Sequence, residues 1–177
     1  MKKLTPLLFS LLFIFSSCIS GLKQPEGMPD KAYEKYKTVI LDSKEIIKNT
    51  KDAFPLQAHI DLAVYSAVLK DNKTAEVEYL KILEIHPQHF VALNNLAVIY
   101  EETDRKQEAL EYYSKLADAH PEKLEPIKDA LRIFKELGRK DDGQKVLEHW
   151  ATQYPEEQKD EGFFQFVSQM FVFLNDK

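Results

Sequence analysis

Cysteine occurs once in the 177 residues, at Cys18. No intramolecular disulfide can form, so packing alone must hold the fold. Glycine is scarce, at five residues, and no low-complexity run appears. Catalytic motifs are missing too. There is no Gly-rich phosphate loop, no Gly-x-Ser-x-Gly elbow and no His-Glu-x-x-His. The five histidines are His59, His86, His89, His120 and His149. His86-x2-His89 supplies half of a metal site, and no Cys or clustered acid completes it. The acid pairs Glu101-Glu102 and Asp141-Asp142 read as solvated groups on or beside turns. With no nucleophile, base or metal in view, the expectation is a protein that is not an enzyme and carries no cofactor and no metal. A basic surplus is also lacking: the formal charge is −5, which argues against nucleic acid as a partner.

The sequence does have a period. Pro87, Pro121 and Pro155 are evenly spaced, since 121 − 87 = 34 and 155 − 121 = 34. Small residues keep the same step at Ala63 and Ala97, and again at Ala75, Ala109 and Gly143. Large residues keep it at Tyr79, Tyr113 and Leu147, and Leu62, Leu96 and Ala130 form a further series. Within one period, Leu93, Leu96 and Tyr100 fall on one helical face, and Leu110, Tyr113 and Leu116 on another. Each period therefore reads as two helices joined by a short turn. Gly138 sits in the third such turn, where a residue of positive φ commonly ends a helix. The prolines close the second helices, because a proline ring cannot continue the hydrogen-bond ladder. An ordinary antiparallel bundle shares the 3.6-residue periodicity but does not set three prolines in phase.

This pattern resembles the tetratricopeptide repeat (TPR) family. The middle copy carries it best: Leu93-x2-Leu96-Ala97-x2-Tyr100, then Ala109-x3-Tyr113, then Pro121. Leu93 replaces the usual Trp and Ala97 the usual Gly; His59 and Ser66 depart further in the first copy. The resemblance implies an all-α, right-handed α-solenoid of about three repeats over 56–155 (56–87, 90–121 and 124–155), with capping helices at both ends. It also implies that the first helix of each copy lines a concave groove. The inward positions are then Ile60, Asp61, Val64 and Val68, next Asn94, Asn95, Val98 and Glu101, and last Lys128, Asp129, Arg132 and Lys135. The family's carboxylate clamp would need basic or amide groups at Ile60, Val64, Asn95, Glu125 and Asp129. Only Asn95 fits, so that function is rejected. Asn94 and Asn95 suit the backbone groups of a peptide or a partner helix.

The front of the chain has a separate logic. Lys2 and Lys3 precede an apolar run from Leu7 to Phe15, of signal-peptide length and too short to span a bilayer stably. Phe15-Ser16-Ser17-Cys18 resembles the lipobox of bacterial lipoproteins, although the family prefers Leu at the place of Phe15. The resemblance implies a signal peptide over 1–17 and an acylated, palmitate-bearing Cys18; the other reading is an ordinary signal peptide with an incidental cysteine. Cleavage removes two lysines and no acid, so the charge becomes 22 − 29 = −7. Durable anchoring requires more than one acyl chain. Ile19, in place of an Asp, leans toward the outer rather than the inner membrane. Residues 18–29 read as the lipidated cysteine and a flexible tether.

Residues 30–55 read as an N-terminal cap or degenerate repeat. Asp30 is placed to cap a helix from Lys31; Asp42 with Glu45 fits a capping box, and both one helix and two stay open for the segment. Residues 156–177 read as an apolar C-terminal cap. From Phe163 to Leu174 only Gln165, Ser168 and Gln169 are polar. A solvent-facing cap should carry a broader polar face. Three readings stay open: a cap folded onto the array, a lipid-dipping helix, or a homodimer through Phe163, Phe166, Val167, Met170, Phe171 and Phe173.

Together these expectations describe a membrane-anchored interaction scaffold or assembly factor of the bacterial cell envelope. It would bind other envelope proteins in the groove. The alternative is an accessory subunit that presents a substrate or ligand to an envelope enzyme. Changing Cys18 to Ala should leave an uncleaved precursor lacking the acyl mass. Mass spectrometry of the wild-type N-terminus checks this, and an unacylated mature N-terminus would contradict the lipid anchor.

Overall fold

The computed structural model describes residues 22–51 and 53–176. The expected signal segment and Cys18 lie outside the described residues. The described chain is all-helical: α1 Asp30–Asn49, α2 Leu56–Val68, α3 Asn72–Ile85, α4 Phe90–Glu102, α5 Lys106–Ala119, α6 Leu124–Glu136, α7 Lys140–Gln153 and α8 Glu161–Asn175. A single 3-10 turn, Glu156–Gln158, precedes α8. Among the described residues no helix is long and apolar enough to cross a membrane.

The 34-residue step sets the helix boundaries. First helices start at 56, 90 and 124, and second helices at 72, 106 and 140. Second helices end at 85, 119 and 153, in each case two residues before the phased proline. The residue ahead of a proline is pushed out of the helical region, so the helix stops there. The turns inside the copies repeat as well. Lys70 (φ 60°), Asp104 (φ 58°) and Gly138 (φ 68°) all occupy the left-handed region. In each copy the next amide reaches back to close the turn: Asp71 to Ser66 (2.8 Å), Arg105 to Tyr100 (2.8 Å) and Arg139 to Phe134 (2.9 Å). A second set runs from Lys70, Asp104 and Gly138 to Ala67, Glu101 and Lys135. This is a Schellman closure, and it satisfies carbonyls that a helix end would leave without partners.

The residues that hold period are core residues. Ala63, Ala75, Ala97, Ala109, Tyr79, Leu96, Ala130 and Leu147 are fully buried. Gly143 shows why its position must stay small. A Cβ there would lie 3.0 Å from Leu174 Cδ2 and 3.1 Å from Phe134 Cβ.

The chain divides into two compact units between Lys81 and Ile82, within α3. In the first unit α1 packs along α2. Ile40, Leu62 and Leu69 form its core, with Leu22, Met28, Tyr33, Tyr36, Ile47 and Tyr65 around them. One open alternative is decided here and one expectation changes. α1 is one helix: Ile40 and Ser43 are buried in mid-helix, so packing carries the chain through the Asp42–Glu45 pair. Residues 22–28 are not a free tether. Leu22 and Met28 lie against the core, and the Tyr33 hydroxyl donates to the Leu22 carbonyl at 2.9 Å.

In the second unit α4 packs on α5, α5 on α6, α6 on α7, and α8 on both α7 and α6. Trp150, fully buried, anchors α8 through rings of Phe166 (5.6 Å) and Phe163 (6.0 Å), while Tyr154 stacks on Phe163 at 4.6 Å. Asp160 caps the start of α8 by accepting from the Phe163 amide at 3.0 Å. Lysines close its other end: Lys135 donates to the Phe173 carbonyl and Lys140 to the Asp176 carbonyl, both at 2.8 Å.

Two substitutions test the packing and the turn separately. Ala109→Leu should overpack a closed helix contact and cost roughly 1–3 kcal/mol. Gly138→Ala meets open space around the new Cβ, so its cost, roughly 1–2 kcal/mol, is purely that of the left-handed backbone. Urea unfolding of both variants checks the two values; wild-type stability in Ala109→Leu would contradict the repeat register.

Candidate functional site

The face to which the repeat logic assigns binding is built, in the second unit, from α4 and α6. Asn94, Asn95, Val98 and Glu101 lie on α4, and Lys128, Asp129 and Arg132 on α6. Val98 is exposed, and so is Val91 two turns closer to the start of α4. The Asn94 amide lies 3.5 Å from the Asn95 carbonyl oxygen, at the limit of a hydrogen bond. In the first unit the equivalent positions Ile60 and Val64 are half-buried on α2, and Val68 is exposed. The two sets belong to separate units.

Arg132 organises the charged half of the α4–α6 face. Its guanidinium meets Glu101 with both forks, at 2.9 and 3.0 Å. It also reaches Glu136 at 3.0 Å and Asp129 at 3.4 Å. The Tyr113 hydroxyl donates to Glu101 at 3.1 Å, and Lys106 donates to Glu136 at 2.8 Å. Six side chains from α4, α5 and α6 thus form one network. Bidentate geometry of this type fixes orientation as well as adding energy.

The electrostatics follow from the contacts. Hydrogen bonding to Glu101 holds the Arg132 guanidinium firmly protonated. The hydrogen bond from Lys106 holds the Glu136 carboxyl below its ordinary range. Burial pushes the Asp129 carboxyl up, and Arg132 only partly offsets this. Burial, with the charges of Asp129 and Glu101, pushes the Tyr113 phenol up. Acids and bases here answer one another, so the face offers a partner little unspent charge.

Other sequence candidates fall into structural roles. His89 caps α4: its Nδ1 accepts from the Ala92 amide at 3.3 Å. Burial and the neighbouring His86 hold its pKa down, which suits an acceptor. Among the described residues no group of three or more His, Cys, Asp or Glu is placed to hold a metal ion. His59, at the position where the repeat usually carries Trp, is buried under Phe54, with the rings stacked at 4.2 Å. Its Nδ1 meets the buried carboxylate of Glu78 at 2.5 Å, and Lys81 satisfies the other Glu78 oxygen at 2.8 Å. The homodimer set also needs correction. Phe163 and Phe166 are buried against Trp150 and are unavailable to a partner. The exposed large side chains of α8 are instead Phe164 and Val172.

Sequence reasoning did not place Lys106, Tyr113 and Glu136 at the site: Lys106 and Tyr113 lie on a second helix, and Glu136 is the last residue of α6, beyond the groove positions assigned to it. It also missed an open cleft of about 420 Å³ in the second unit, lined by Leu83, Pro87, Gln88, Leu93, Tyr112, Lys115, Asp118 and Ala119. Its charged lining residues are Lys115 and Asp118.

Removing Arg132 should show the sign of the network. The folded Glu136 pKa is depressed by Lys106 first and by Arg132 after it, so the Arg132 part of its contribution is present above the unfolded value of about 4.3 and is lost as pH falls through the folded value. Arg132→Met should lower stability by about 1 kcal/mol or less at pH 7, since these groups are partly exposed. The gap to wild type should close below about pH 4. Thermal melts across that range check it; a gap that persists at low pH would contradict the assignment.

Comparison with known proteins agrees with this architecture. A sequence model described as a tetratricopeptide repeat matches residues 78–111, a span of 111 − 78 + 1 = 34 residues. No curated protein matches the chain. Residues 78–111 match a tetratricopeptide repeat, and the described residues form an all-α fold consistent with TPR-like helical repeats.

Proposed function

We propose that the protein is a membrane-anchored scaffold or assembly factor of the bacterial cell envelope, without catalytic activity of its own. It binds an extended peptide or a helix of an envelope protein along the α4–α6 face. The observation that carries this reading is the composition of that face. Val91 and Val98 are exposed on α4 beside Asn94, while Arg132, Glu101 and Glu136 spend their charges on one another. Affinity would then come from apolar contact and from amide hydrogen bonds to a partner's backbone, not from charge. TPR-type repeats serve protein–protein interaction, which supports the general class. The basic start, the apolar run and Ser16-Ser17-Cys18 support the anchor. Self-association through α8 would be a second surface of the same scaffold.

The test is affinity capture from detergent-solubilised membranes with three forms of the chain. Wild type should retain a specific envelope protein. Val98→Glu and Asn94→Ala should each lose it at least tenfold while keeping the wild-type circular dichroism spectrum and melt. Equal retention by both folded variants would contradict the groove reading.

A further inference from the structure

α8 ends the array with Phe163, Phe166 and Leu174 buried, and its outer side carries two exposed apolar side chains among polar ones. Phe164 is 56% exposed and Val172 is 63% exposed. Each lies four residues from Ser168, in opposite directions along the helix. At 100° per residue, Glu161, Ser168 and Asn175 share the centre of the outer face. Phe164 and Phe171 flank it on one side, and Gln165 and Val172 on the other. The positions are therefore symmetric about Ser168, at ±3, ±4 and ±7.

We propose that α8 pairs with α8 of a second copy, antiparallel, about a twofold axis that passes at Ser168. Three observations select this occupant. The smallest side chain of the outer face sits at the point of closest approach, so the two helices can come together there. An antiparallel partner brings Phe164 to the level of Phe171 and Val172 of the second copy, and the reverse, so both exposed apolar groups are covered twice by one contact. The charges also match better in this direction, since two lysines stand beside the one acid, Asp176, at the end of α8. Asp160 and Glu161 mark the start of α8, while Lys135 and Lys140 close its end through the Phe173 and Asp176 carbonyls. Antiparallel pairing sets the acids of one copy by the lysine-closed end of the other. Parallel pairing sets acid against acid. The outer face of α8 carries no Lys or Arg, which an anionic lipid surface would favour. A twofold contact made by one surface on both copies is the commonest oligomeric arrangement. This surface is independent of the α4–α6 face.

Cross-linking of the full chain in membranes and in detergent tests it, with wild type and its sole Cys18 as background. Ser168→Cys should form a disulfide-linked dimer well above that background. Phe164→Cys and Val172→Cys, carried on differently tagged copies, should join through a short thiol cross-linker. Phe164→Cys alone should not, because in the antiparallel pair the two 164 positions are offset by about 12 Å along the axis. Phe164→Glu should turn a dimeric mass in sedimentation into a monomeric one with unchanged helicity. Self-joining of Phe164→Cys would overturn the antiparallel arrangement. A monomer at tens of micromolar with no link through Ser168→Cys would overturn the dimer. The same holds if the Val172→Cys thiol is shielded from water-soluble reagents in membranes without any cross-linking, which would give the face to lipid.

Discussion

Two short helices joined by a turn bury only part of their apolar surface; each pair leaves a face that another element of matching pitch must cover. That requirement explains why the chain repeats at all. It also explains which positions repeat most strictly. Ala97 and Ala109 are small because helices close on them, and both are fully buried. Large residues such as Tyr113 and Leu147 fill the space between, also with little or no exposure. Where the third copy has nothing further of its kind to meet, α8 takes over: Leu174 comes to within 3.0 Å of a Cβ position at Gly143. Glycine at that point, where the earlier copies carry alanine, admits a capping helix that does not itself follow the repeat.

The same constraint decides what could be read from the amino-acid sequence. Prolines and small residues are set by backbone geometry and close contact, so their spacing gave the phase of the repeated helix pairs directly. Gly138 advertises its left-handed turn, but Lys70 and Asp104 do the same work without a compositional sign. Only the phase of 34 residues connects them. Local signals misled where tertiary packing outweighed them. Asp42 and Glu45 satisfy a capping pattern, yet burial of Ile40 and Ser43 keeps α1 continuous. Residues 22–28 have the composition of a linker, yet Leu22 and Met28 find an apolar surface.

The binding face divides in a similar way. Its first-helix positions follow from the repeat and were legible. The pairing of Arg132 with Glu101 was not, since those residues are 31 apart and meet only when α4 and α6 lie side by side. Nor was the contribution of Lys106 and Tyr113, which reach the network from a second helix. The consequence is functional: a row of charged residues that reads as an ionic groove is largely self-satisfied, and the free surface beside it is apolar and amide-bearing. On α8 the sequence showed excess apolar character all round, but the inner and outer faces separate only once Trp150 draws Phe163 and Phe166 inward.

The central claim is that three helix pairs are closed by one repeated turn. Native-state hydrogen exchange of individual amides reads this directly. Asp71, Arg105 and Arg139 donate to Ser66, Tyr100 and Phe134 at 2.8, 2.8 and 2.9 Å, so all three amides should exchange slowly although they lie in turns. Exchange of any one of them at the rate of a solvated loop amide would contradict the three-copy closure.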